Sequence, residues 1–220
     1  MDTKEILKHV DHTLLKPVAT WEDIKVICDE AIEYNTASVC IPACYISRIH
    51  EAYPKLNICT VVGFPLGYSS TEGKIAETKK ALEDGANEID MVINITDVKN
   101  KLYDNVTAEI KALKDVVKDK ILKVIIETCY LTEEEKIAMC KCVTDAGADY
   151  IKTSTGFGTG VATIEDVELF KKHIGPDVKI KAAGGVSTVA DLEMFINAGC
   201  DRIGTSRAVG LLKGEVTQGY

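Results

Sequence analysis

The sequence predicts an α/β chain folded as a single (β/α)8 TIM barrel, on three observations. Short apolar runs alternate with amphipathic segments from one end of the chain to the other. The helix exits repeat one device: Asp84-Gly85-Ala86-Asn87, Ala146-Gly147-Ala148-Asp149 and Ala198-Gly199-Cys200-Asp201 each place glycine where a helix ends in the left-handed conformation. Each then runs straight into an apolar segment, and Tyr34-Asn35-Thr36-Ala37 does the same with asparagine. Finally, 220 residues with 46% hydrophobic content bury one substantial core, and barrels of this length commonly run undivided. A doubly wound open sheet competes, but the glycine fingerprint that normally follows its first strand is missing from the sequence.

Taken in order, a brief strand is expected over 12–15, followed by a helix over 20–34 that Thr20 caps ahead of Glu22-Asp23. Strand 38–41, helix 44–53, strand 58–63, helix 71–84, strand 88–93, helix 98–118 and strand 121–127 come next. Thr132, with Glu133-Glu134-Glu135 behind it, starts a helix over 132–146, and strand 149–152 follows. Thr163 with Glu165-Asp166 opens helix 163–174, and strand 178–182 leads to Ser187-Thr188 and Asp191 at the head of helix 188–198. Strand 202–204 closes the set.

A formal charge of −8 argues against nucleic acid or an anionic membrane surface as partner, and no apolar run approaches the length of a membrane span. Met1-Asp2-Thr3-Lys4-Glu5 lacks the layout of a signal peptide, so a cytoplasmic protein is expected. Eight cysteines then read as reduced thiols. Cys40/Cys44 and Cys140/Cys142 lack Cys-x-x-Cys spacing, and His9, His12, His50 and His173 form no ligand pair, so no metal is expected. Cys40, at the end of the second strand, reads first as a core thiol, with a place facing the site as the alternative.

Barrels place their chemistry at the C-terminal ends of the strands. The polar residues expected there are Asp90, Asn94, Glu127, Lys152, Thr155, Lys181 and the Gly204-Thr205-Ser206 turn, while Glu88, Lys123 and Lys179 fall at the stabilising end. Lys152 ends Asp149-Tyr150-Ile151-Lys152, just before the turn Thr153-Ser154-Thr155-Gly156, and Lys181 repeats the arrangement ahead of Gly184-Gly185. Two lysines at the ends of neighbouring buried strands suggest an amine with a lowered pKa, as imine chemistry requires. A free lysine has a pKa of about 10.4, so bringing it to about 7 takes some 4–5 kcal/mol. A second ammonium at about 4 Å supplies around 4 kcal/mol at an effective dielectric of about 20. Both lysines could instead be strand-edge charges reaching solvent.

Asp90 lies within the apolar run 88–94, where a carboxylate is costly unless paired or catalytic. Asp11 is a weaker candidate that an N-terminal cap would also explain. Gly184-Gly185 and Gly204-Thr205-Ser206 follow the two strands whose loops commonly hold phosphate, and the Thr155-Gly156 turn could add a hydroxyl and an amide.

Lys152-Thr153-Ser154-Thr155-Gly156-Phe157, Lys181-Ala182-Ala183-Gly184-Gly185-Val186 and Asp11-His12-Thr13-Leu14-Leu15-Lys16-Pro17 together resemble the deoxyribose-phosphate aldolase family. The 88–94 run, Arg202-Ile203-Gly204-Thr205-Ser206 and the C-terminal tyrosine extend the resemblance over nearly the whole chain. It implies a metal-free class I aldolase that needs no cofactor and cleaves 2-deoxy-D-ribose 5-phosphate to acetaldehyde and D-glyceraldehyde 3-phosphate. It further implies Lys152 as the Schiff-base lysine, Lys181 as the residue that depresses its pKa, Asp90 as a proton relay through water and Asp11 as a hydrogen-bonding assistant. Tyr220 would protonate the substrate-derived carbon from a flexible tail spanning 212–220, in a homodimer. Arg207 departs from the small residue that the family commonly carries there, and is either a phosphate contact or an obstruction. The 158–161 stretch also departs in detail. Another Schiff-base aldolase of a related phosphosugar, and a non-catalytic phosphosugar-binding barrel, are the alternatives.

Overall fold

Threonine and serine set where the helices begin. In the computed structural model, which describes residues 2–186 and 188–214, Thr20, Thr132 and Thr188 each close a capping box with the acid three residues on. These boxes open α2 (Trp21–Tyr34), α7 (Glu133–Asp145) and α9 (Val189–Ala198). Ser70 caps α4 (Thr71–Glu83) and Thr163 caps α8 (Ile164–His173) in the same way, without the reciprocal arm. At the exits, Asn35, Gly85, Gly147 and Gly199 have φ of 51°, 113°, 72° and 114°, the left-handed conformation expected of them.

Eight parallel strands follow one another around a closed barrel: β1 (Val10–Thr13), β2 (Ser38–Ile41), β3 (Ile58–Val62), β4 (Glu88–Val92), β5 (Ile121–Ile125), β6 (Tyr150–Lys152), β7 (Lys179–Ala183) and β8 (Arg202–Thr205). β8 closes on β1 with Asp11 opposite Gly204. Period-two alternation then divides the side chains. Ile89, Met91, Leu122, Val124, Ile151, Ile180 and Ile203 pack outward under the helices. Glu88, Asp90, Lys123, Lys152 and Lys181, displaced from these by one residue, turn inward and meet one another. Each buried apolar side chain of the outer layer contributes about 1.5–3 kcal/mol, which offsets the cost of confining charge inside the ring.

The first strand starts two residues earlier than expected, so Asp11 is a strand residue and no helix cap. The expected helix over 98–118 is two helices, α5 (Ile95–Lys99) and α6 (Tyr103–Val117). Between them the Asn100 amide donates to the Thr96 carbonyl, and Lys101 takes φ of 59°, which no helix continues through. The helix expected over 44–53 opens as a 3₁₀ turn, Ala43–Tyr45, before α3 (Ile46–Ala52). Two short helices, α1 (Thr3–Leu7) and α10 (Ala208–Leu212), were not legible. α10 takes in the first residue of the expected tail; residues 215–220 lie outside the described ones. Among the described residues no helix is long and apolar enough to cross a membrane.

Candidate active site

The interior charges converge on Asp90. Its Oδ2 accepts from Lys152 Nζ and Lys181 Nζ at 2.7 Å each, and its Oδ1 from Lys123 Nζ at 2.8 Å and Cys59 Sγ at 3.1 Å. Because two amines share one oxygen, Lys152 and Lys181 stand within about 5.4 Å of each other, the range at which one cation still costs the other several kcal/mol in a buried setting. Lys181 also pairs with Asp11 Oδ2 at 2.5 Å. Below them, Lys123 reaches Glu88 at 2.5 Å and Asp11 at 3.5 Å, and the Arg202 guanidinium bridges Glu88 and Asp11. The Ser38 hydroxyl donates to Asp11 at 2.8 Å.

Burial works to raise the Asp90 carboxyl's pKa, but Lys123, Lys152 and Lys181 together hold it well below the usual carboxylate range. Asp11 is lowered likewise, against burial, by Lys123, Lys181 and Arg202. For Lys181, burial acts downward, yet Asp11 and Asp90 raise it above an ordinary lysine, so it stays cationic. The network joins the buried carboxylates Asp11, Glu88 and Asp90 to the buried amines of Lys123 and Lys181 and the partly buried Arg202, with Lys152 as the seventh group.

Above this floor opens a cavity of about 290 Å³, and Lys152 is the charged residue of the network that reaches it. Thr155, Gly156, Gly184, Gly185, Gly204, Thr205, Ser206 and Arg207 all line it, so the loops after β6, β7 and β8 come together as the strand order requires. Two glycines there leave little room for a Cβ. A Cβ on Gly185 (φ 74°) would stand 2.9 Å from Val161 Cγ2. On Gly204 it would meet Lys181 Cε at 3.1 Å, so glycine clears the path of that lysine across the barrel. The Arg207 amide donates to Thr205 Oγ1 at 3.0 Å, which tightens the turn after β8.

A deoxyribose-phosphate aldolase of Clostridium botulinum (strain Alaska E43 / Type E3) is 85% identical to the chain over the full length of both. The family model for DeoC/LacD aldolases matches residues 5–215. The chain belongs to the DeoC/LacD aldolase family. The structure of a Coccidioides immitis protein superposes with a TM-score of 0.93 at 39% identity, covering 97% of this chain and 87% of that one. A deoxyribose phosphate aldolase from Aeropyrum pernix, described as tetrameric, gives 0.87 at 31% identity, over 97% and 92% of the two chains.

In this DeoC/LacD aldolase, Lys152, Lys181, Asp90 and Asp11 form one connected cluster, and the expected loop residues line one cavity over it. Asn94 is elsewhere, as the cap of α5, where its side chain accepts from the Thr96 amide at 3.1 Å. Thr155 lines the cavity with its hydroxyl and its amide both turned to the Glu127 carboxylate, the amide at 3.2 Å. Glu127, in the left-handed conformation at φ 53°, thereby fixes the loop after β6, and Phe157 N adds a bond to Thr155 Oγ1 at 3.0 Å. Tyr220 lies outside the described residues.

Lys123 corrects the sequence reading. Assigned to the stabilising end, it instead touches Asp90 directly. Cys59 and Arg202 were missed as members of the network, and the signal that finds them is strand register: Cys59 lies opposite Glu88, and Arg202 opposite Lys181. Two groups of potential metal donors exist among the described residues, Cys40–Cys59–Asp90 and Asp11–Cys59–Glu88. Their carboxylates already face lysine and arginine cations, and a metal ion would have to displace these.

Proposed function

We propose that this aldolase reversibly cleaves 2-deoxy-D-ribose 5-phosphate to acetaldehyde and D-glyceraldehyde 3-phosphate, with Lys152 as the Schiff-base lysine. The observation that carries the assignment is the shared Asp90 oxygen, 2.7 Å from both lysine amines, with only Lys152 lining the cavity.

The Lys152 amine adds to the C1 aldehyde of the open-chain sugar, and loss of water gives a protonated imine that serves as the electron sink. Asp90, acting through a water, removes the C3 hydroxyl proton and the C2–C3 bond breaks, leaving the enamine of acetaldehyde on Lys152. Protonation at C2, assigned to Tyr220, and hydrolysis release acetaldehyde. Asp11 holds Lys181 against the relay. The phosphate is assigned to Gly184, Gly185, Gly204, Thr205 and Ser206, with the Gly156 turn closing the other side and Arg207 adding charge. These contacts orient the sugar and take no part in bond breaking.

Turnover measured side by side on several phosphorylated sugars tests the substrate. The deoxyribose phosphate should be cleaved with the highest kcat/KM, and a clear preference for another phosphosugar would transfer the assignment to it. Ligand binding with no cleavage would indicate a non-catalytic barrel. Arg207→Ala should raise KM for the phosphorylated sugar about tenfold or more while changing KM for deoxyribose little. Equal effects on both would remove Arg207 from phosphate binding.

Lys181→Leu should move the acidic limb of the pH–rate profile upward, because protonating the reacting amine is less costly once the neighbouring ammonium is gone. An unchanged limb would mean that the two amines are not coupled. One domain, a cytoplasmic location and a homodimer belong to the same reading, and light scattering on the purified chain tests the assembly.

A further inference from the structure

β2 and β3 carry a pair of thiols that the mechanism does not use. Cys40 and Cys59 are direct partners in the parallel register, so their side chains leave the two strands on the same, inward face. Both are fully buried, and both are free thiols. Their sulfurs and an Asp90 carboxylate oxygen lie within 4.8 Å of one another. Adjacent strands run about 4.8 Å apart, inside the Cα separation of about 4.4–6.8 Å that a disulfide spans. Leu15 and Phe64 pack over the pair, and Leu15 is also a wall of the substrate cavity. Leu15 thus borders both the thiol pair and the space that the substrate enters.

We propose that Cys40 and Cys59 are an oxidisable dithiol of the catalytic interior, closed to a disulfide by a peroxide with reversible loss of turnover. Cys59 Sγ donates to Asp90 Oδ1 at 3.1 Å and accepts from Lys123 Nζ at 3.3 Å. A disulfide sulfur has no proton to donate, and its bond of about 2.05 Å pulls Cys59 towards β2. Asp90 thereby loses a donor on the face opposite the two catalytic amines. The surroundings distinguish the roles of the two sulfurs. Cys59 keeps its proton against the Asp90 carboxylate, and burial raises its pKa well above that of an ordinary thiol. Cys40 is thus the sulfur that attacks the peroxide, giving a sulfenic acid and hydroxide. Cys59 then loses its proton, attacks the Cys40 sulfur and expels the second hydroxide. Two thiols and one peroxide become one disulfide and two waters. A soft metal cation on the same sulfurs is disfavoured by the ammonium groups of Lys123, Lys152 and Lys181 around Asp90.

The loss of turnover rests on the aldolase reading, but the linkage itself does not, and the two are measured separately. The full chain is treated with hydrogen peroxide, digested without reduction and mapped by mass spectrometry, in parallel with turnover before and after dithiothreitol. A Cys40–Cys59 linked peptide should appear as turnover falls about tenfold or more, and dithiothreitol should reverse both. Cys59→Ser, read only as its treated-to-untreated ratio, should be spared. Inactivation without the linked peptide, a linked peptide with full turnover, or equal inactivation of Cys59→Ser would each overturn the proposal. If the variant does not fold, the wild-type peptide map decides alone.

Discussion

Lys152→Ala is expected to abolish turnover, by about 10⁴-fold or more, while the barrel stays folded. The side chain ends against Asp90 and the cavity, and removing it takes away one of three lysines on that carboxylate. Lys123 and Lys181 still pair with Asp90, so no carboxylate is left bare in the interior. Circular dichroism and thermal unfolding should therefore change little while steady-state cleavage disappears. Retained cleavage would move the nucleophile elsewhere, with Lys181 first in line. Loss of cleavage together with unfolding would mean that Lys152 is structural.

Asp90→Asn should have the second large effect, and on two observables at once. It keeps the shape and removes the one charge that Lys123, Lys152 and Lys181 share. Losing a proton relay costs about 10²–10⁴-fold in kcat, and breaking a buried ion pair by neutralising one partner costs about 3–5 kcal/mol. The pH dependence has a definite sign. The folded-state pKa of Asp90 lies below its unfolded value near 3.9, so its stabilisation is complete above about pH 4 and fades as pH falls further. The stability gap between wild type and variant in urea titrations should therefore be full at pH 6 and narrow in strong acid. A gap that widens in acid would contradict the assignment of Asp90 as an anion held by lysines.

Much of this site was legible because its signals are local. Lys152 ends β6 ahead of a small polar turn and Lys181 lies in β7 shortly before Gly184-Gly185, and the two are direct partners between neighbouring strands. The helix caps and glycine exits were legible for the same reason, since each lies within four residues of chain. What failed depends on register between strands. Lys123 stands opposite Asp90, which in turn stands opposite Val61 of β3, and no property of the β5 sequence encodes that stagger. Lys123 is the middle residue of β5 as Asp90 is of β4, and its inward side chain brings the amine to the carboxylate. The start of β1 was set two residues late because a four-residue strand offers too few alternations to fix its ends. The break at Asn100–Leu102 rests on a single left-handed lysine, a conformation that residue type does not signal.

The most direct test of the central claim is to reduce the wild-type chain with borohydride in the presence of acetaldehyde and locate the adduct by peptide mapping. A single two-carbon adduct on Lys152 is the expected result. An adduct on Lys181 or Lys123 with Lys152 unmodified would contradict it.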